Sequence, residues 1–161
     1  MTQKKKSDKE NFNKDACTAR GHILESCIKL ELLIDFYIAK HFSDDKIKNG
    51  ELLNLILSAG RITFENKRLV FKFLIEKYNP AFVKSYPQFH TDLGKIIEHR
   101  NLFAHYSMDI TSVGMKNYEK GYLGFLKFRN QAKSIRYSKA EINKIIHLVS
   151  EYTQAVAKLI W

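Results

Sequence analysis

The chain has 161 residues, of which 45% are hydrophobic, 12% aromatic and 27% charged, with a formal net charge of +10 and a pI near 9.5. That composition excludes an intrinsically disordered chain, and the length suits one domain that buries a core without disulfide or metal staples. The positive balance points to a polyanionic partner, with nucleic acid ahead of acidic protein or a membrane surface.

The charge is uneven. Between Met115 and Lys144 eight Lys or Arg stand against two Glu, so more than half of the excess lies in one segment. Cys17 and Cys27 fall on what reads as one helix, about 15 Å apart at the helical rise and too far for a bridge, which points to reduced, intracellular thiols. No apolar run approaches a membrane span, and the lysine-rich start lacks the hydrophobic region of a signal peptide. The expected location is the cytoplasm, with no membrane partner.

In chain order, Met1 to about Phe12 is polar and lysine-rich and reads as a basic flexible tail, followed by a single helical domain over 13–161. From about Lys14 to Phe42 an apolar pattern without proline predicts a long first helix. Leu24, Cys27, Ile28, Ile38 and Phe42 share its stripe, and Glu31 and Asp35 fall within about 20° of the stripe centre. Ser43-Asp44-Asp45 and Asn49-Gly50 mark a turn, and the apolar run Leu52 to Leu57 is ambiguous between helix and strand. Thr63 is placed to cap a second helix from Phe64 to about Tyr78, ended by Asn79-Pro80. Pro87 opens a third helix that runs to Ala104 or shortly beyond.

On that third helix Leu93, Ile96, Ile97 and Ala104 form one stripe, and Arg100 falls in the middle of it. An arginine cannot shed its charge and is almost never fully buried unless paired. Glu31 or Asp35 is the expected partner. The pair is either a packing device between helices, or an acid that orients the guanidinium for a phosphate.

After Tyr106, Tyr122 to Arg129 and Lys133 to Tyr137 alternate apolar with basic residues across Asn130-Gln131-Ala132, which predicts a β-hairpin within about 120–137. Its polar edge offers Lys127, Arg129, Lys133 and Arg136 as an RNA-binding strip interleaved with aromatic rings. Ser138 with Glu141 makes a capping box, and Ile142, Ile145, Ile146, Val149, Val156, Leu159 and Ile160 repeat at helical spacing to the end. The expected fold class is mainly α, with a small β-hairpin inserted before the last helix. No cofactor or metal-ligand cluster is found in the sequence.

Arg100-Asn101-Leu102-Phe103-Ala104-His105 is an arginine, then a polar residue, then a histidine five positions after the arginine. In an all-helical frame, at the end of the third long helix and with acids on the first, this motif resembles the signature of the HEPN superfamily. The resemblance covers roughly Lys14 to Tyr106 and the last helix. It implies an antiparallel helical bundle and a metal-independent endoribonuclease acting as a homodimer, with two motifs meeting across the interface. RNA would be cut by attack of its 2′-hydroxyl on the adjacent phosphate.

In that reading His105, the residue type whose titration lies nearest neutrality, is general acid or base. Arg100 binds the phosphate in a fork and offsets its developing charge. Asn101, four residues before His105 and on its face, holds the imidazole or a phosphate oxygen. Glu31 or Asp35 orients Arg100. Arg100 and His105 stand about 140° apart on a straight helix, so a shared phosphate needs the helix to end between them or a second copy to supply one of them. A toxin or phage-defence role would add an antitoxin or other regulatory protein as partner. HEPN toxins paired with a nucleotidyltransferase antitoxin carry Tyr two positions after the His; here Ser107 stands there and Tyr106 adjoins His105, so that partnership is not carried over.

Two other readings compete. One is a non-catalytic HEPN-like dimer that binds RNA or a protein, with Arg100 and its acid as an interface device. The other is a helical DNA-binding regulator, for which no helix-turn-helix pattern is found.

Overall fold

A computed structural model of the chain describes residues 3–128 and 132–161, with side chains for 7–127 and 133–161. Among them seven α-helices and a three-stranded antiparallel sheet make a mainly helical fold. The helices are α1 (Gln3–Phe42), α2 (Lys46–Glu51), α3 (Phe64–Tyr78), α4 (Pro80–Ser85), α5 (Phe89–His105), α6 (Ser112–Glu119) and α7 (Lys139–Ile160). The strands are β1 (Ser107–Met108), β2 (Tyr122–Phe128) and β3 (Ala132–Ser138), in the order β1-β2-β3. The ambiguous run Leu52–Leu57 is a π-helical turn that buries Leu53 and Leu57.

Local chemistry explains most of the boundaries. Thr63 accepts from the Asn66 amide at the start of α3, and Ser138 and Glu141 satisfy each other's amides at the start of α7, with Ser138 N donating to Glu141 Oε2 at 2.7 Å. Residues 3–12, expected as tail, are helical instead, and Phe12 is fully buried. One apolar residue among lysines leaves no periodicity to detect, yet burial of that ring carries the helix back past it. α4 and α6 were not expected either. The Thr111 hydroxyl, which accepts from the Gly114 amide, is the cap that signals α6.

By internal contacts the chain divides into two compact units, Met1–Ser26 with His99–Leu148, and Cys27–Glu98 with Val149–Trp161. The second unit is built on aromatic packing: Phe89 lies 5.6 Å from Phe71, 5.2 Å from Phe82 and 4.7 Å from Tyr152, ring centre to ring centre. Tyr152 donates its hydroxyl to Asp92 at 2.8 Å, which satisfies a polar tip within that apolar cluster.

The same unit holds the acids of α1. Lys67 Nζ stands 2.7 Å from Glu31 Oε1 and 2.8 Å from Asp35 Oδ2, with Lys67 3% exposed and Asp35 2%. Within this unit Lys67 is the cation that answers Glu31 and Asp35. The signal was present in the sequence: Lys67 follows Phe64 by three and precedes Phe71 by four, so it occupies a core position of α3. Burial pushes the Asp35 carboxyl above its ordinary value, against the hydrogen bond from Lys67. Asp35 Oδ1 finds no hydrogen-bond partner among the described residues. Removing the ammonium would strand two carboxylates, so Lys67→Met should lower the unfolding free energy by about 3–5 kcal/mol in urea titrations. A loss under about 1 kcal/mol would show that the carboxylates shed their charge without cost.

The first unit closes around Phe103, Phe125 and Tyr137, with Phe103 4.8 Å from Phe125 and 5.2 Å from Tyr137. A knot at Asp109, 1% exposed, ties β1 to α6 and the sheet. Its Oδ1 accepts from the Thr111 hydroxyl at 2.6 Å, its Oδ2 accepts from Ser134 at 2.6 Å, and its amide donates to the Gly124 carbonyl at 2.9 Å. A Cβ on Gly114 would stand 2.0 Å from the Asp109 carbonyl oxygen, so only glycine fits there. Gly114→Ala should therefore destabilise the protein by several kcal/mol, of order 2–4. Gly21→Ala, in open space on α1, should raise stability by about 0.5–1 kcal/mol in the same titration.

Burial pushes the Asp109 carboxyl up, but the hydrogen bonds from Ser134 and Thr111 outweigh it and hold the group below the ordinary carboxylate value. A carboxyl depressed in the folded state stabilises at pH above the unfolded value of about 4, and that contribution fades as pH falls through the folded value. Ser134→Ala should thus cost about 1–2 kcal/mol at neutral pH and flatten the loss of stability below about pH 4. Parallel pH profiles for the two proteins would contradict this.

Candidate functional site

The end of α5 lies in the first unit. Leu102 and Phe103 are buried there, Arg100 and Ala104 are half-buried, and Asn101 and His105 are exposed. The expectation that Arg100 sits inside the apolar seam is corrected. Arg100 is only half-buried, and its hydrogen bond to Asn101 lies at the surface.

The head turns toward Asn101. Arg100 Nη1 donates to Asn101 Oδ1 at 3.0 Å, and within its unit no described carboxylate is paired with it. Asn101 and His105 are four apart in sequence, about 40° around the helix, so they share the exposed face. Arg100 reaches that face by bending across to Asn101. The three polar residues of the motif thus belong to one solvent-facing edge.

That edge stands where the helix stops. His105 is the last residue of α5, and the next carbonyl, that of Tyr106, accepts from Arg20 Nη2 at 2.6 Å. Arg20 also lies over the Phe125 ring at 5.6 Å, and its Nε is buried without a partner among the described residues. Arg20 does not stand out in the sequence because it lies outside the apolar stripe and the acid pair of α1. An arginine beside the buried Ala19, with no acid three or four positions away to pair with it, is the signal that would have found it.

The sheet divides the expected basic strip between its faces. Lys127 pairs with Lys133 in register, on the face that carries Phe125 and Tyr137, and Lys127 Nζ lies 5.6 Å from the centre of the Tyr106 ring. Arg136 pairs with Gly124 on the opposite face and donates to Asn117 Oδ1 at 3.2 Å. Arg129 lies outside the described residues. The structure therefore brings Lys127 and Lys133 together, next to the residue that follows His105, and sends Arg136 elsewhere. Tyr106 belongs with them and was not in the expected set.

Other places are less suited to chemistry. A cavity of about 480 Å³ in the same unit lies between α1, the start of β2 and α7, and none of its lining residues comes from the motif. There the Tyr118 hydroxyl donates to Asp15 at 2.8 Å, and burial and that carboxylate push the phenol up to about 12. Among the described residues no group of three or more His, Cys, Asp or Glu is arranged to hold a metal ion, and no helix is long and apolar enough to cross a membrane.

Because Asn101 and His105 are exposed and Arg100 is only half-buried, replacing them should leave stability nearly intact. Arg100→Ala and His105→Ala should unfold within about 0.5 kcal/mol of the parent. A loss above about 2 kcal/mol for either would mark it as a structural residue. Compared with protein-family models, with curated proteins and with solved structures, the chain matches none of them.

Proposed function

We propose that the chain is a metal-independent endoribonuclease of HEPN type, whose site is completed when two copies meet at the end of α5. The observation that supports this most is the state of Arg100. Its guanidinium bonds to Asn101 and is paired with no described carboxylate of its own unit, while in the other unit Lys67 takes Glu31 and Asp35. A guanidinium with no paired acid in its unit, five residues from an exposed histidine, is what an incoming phosphate diester needs. The net charge of +10 draws RNA toward it.

In this reading the two-fold axis lies near the motif, so His105 of each copy approaches Arg100 of the other. One His105 takes the proton from the RNA 2′-hydroxyl, whose oxygen attacks the adjacent phosphorus. The bond from phosphorus to the 5′-oxygen breaks, and that oxygen takes a proton from water, while the imidazolium gives its own proton back to solvent. The products are a 2′,3′-cyclic phosphate and a 5′-hydroxyl. Arg100 grips the non-bridging oxygens as charge gathers on them, and Asn101 holds the guanidinium in place. Glu31 and Asp35 have no part in this scheme. A toxin or phage-defence role fits such an activity, with an antitoxin or regulatory protein as its restraint.

The alternative is a non-catalytic HEPN-like dimer that binds RNA or a protein partner; the pairing of Glu31 and Asp35 with Lys67 removes the reason to cast those acids as its interface device. Incubating the protein with mixed RNA in excess chelator should yield fragments ending in cyclic phosphate. Arg100→Ala and His105→Ala should each slow that cleavage by at least about a hundredfold. Cleavage that survives in both variants, or that needs added metal, would overturn the proposal.

A further inference from the structure

Beside the proposed cutting site, three observations meet at the residue after His105. The Tyr106 backbone is pinned, since its carbonyl accepts from Arg20 at 2.6 Å. Its ring already attracts a cation, with Lys127 Nζ 5.6 Å from the ring centre. Lys127 stands directly opposite Lys133 in the β2–β3 register, on one face of the sheet. Like charges facing each other across two strands repel, so the pair costs stability unless an anion lies between them.

We propose that Tyr106, Lys127 and Lys133 form a nucleotide subsite that selects single-stranded RNA, with an unpaired base lying on the Tyr106 ring and its phosphate taken by the two lysines. This deepens the ribonuclease reading and rests on it for the identity of the polymer. A fixed aromatic ring suits any base, because every base presents a π face. The lysine that now covers the ring has a flexible four-carbon stem, so its ammonium moves to the phosphate as the base arrives. A duplex keeps its bases stacked inside and offers the ring nothing. Arg20 is a positioning residue in this scheme: it holds the Tyr106 backbone and touches no RNA.

The test measures binding and leaves cleavage out of it. The full chain carrying His105→Ala is titrated into a short fluorescein-labelled oligoadenylate, and into the same strand annealed to its complement, with fluorescence anisotropy as readout. Adding Tyr106→Leu should weaken single-strand binding about tenfold or more and leave duplex binding unchanged, whereas Tyr106→Phe should restore it. Lys127→Gln and Lys133→Gln should each lower the salt slope of single-strand binding by about 0.7. Thermal melts by circular dichroism confirm that each variant is folded.

If Tyr106→Leu binds the single strand as tightly as its parent, or loses affinity for both forms equally, the subsite is wrong. It is equally wrong if the His105→Ala protein binds no single strand at all. Failure of cleavage by the unmutated chain would overturn the nuclease reading and leave this binding pattern standing, so the two claims fail separately.

Discussion

The hydrogen bond from Arg20 to the Tyr106 carbonyl, at 2.6 Å, holds the point where α5 gives way to the sheet. The last carbonyls of a helix lack partners within it, and a charged donor that meets one of them fixes where the chain turns. Below that bond the Arg20 guanidinium rests on Phe125, which packs against Phe103 of α5. A few residues further on, the Asp109 amide bonds to Gly124 and its carboxylate gathers Thr111 and Ser134. The segment from His105 to Asp109 is thereby tied at both ends. These contacts fix the backbone beside the exposed edge, the kind of support a preorganised site needs.

Two kinds of charge coexist in the protein, and burial separates them. Lys67 is sunk beneath α3 and holds two carboxylates, an arrangement that removal of any one partner would make costly. Arg100 keeps its head at the surface with an uncharged asparagine for company. The first arrangement is complete within the fold. The second leaves a positive charge uncompensated, and in the proposed reading the phosphate supplies what is missing.

The helical frame was legible wherever capping chemistry and periodicity agreed. Thr63 before α3 and the Ser138–Glu141 pair before α7 are local, and local hydrogen bonds survive any tertiary context. The hairpin was legible for the same reason, since its alternation places Phe125 and Tyr137 inward. Helix α6 was hidden because Gly114 in its first turn looks like a breaker, when it is there to admit the Asp109 backbone. Wheel geometry places the acids of α1 on its core side but does not name Lys67 of α3 as their cation, because only packing decides which charged residue of another helix meets them. The basic strip was legible as composition. Its division between two sheet faces follows from register, which the spacing of residues in the chain does not fix uniquely.

Mixing two inactive variants tests the composite site most directly. Arg100→Ala and His105→Ala proteins, each unable to cut RNA alone, are unfolded together and refolded as a mixture. A site built from Arg100 of one copy and His105 of the other is then intact once in every mixed pair, so cleavage should return to a substantial fraction of the parent rate. A mixture as inactive as its components would contradict the account.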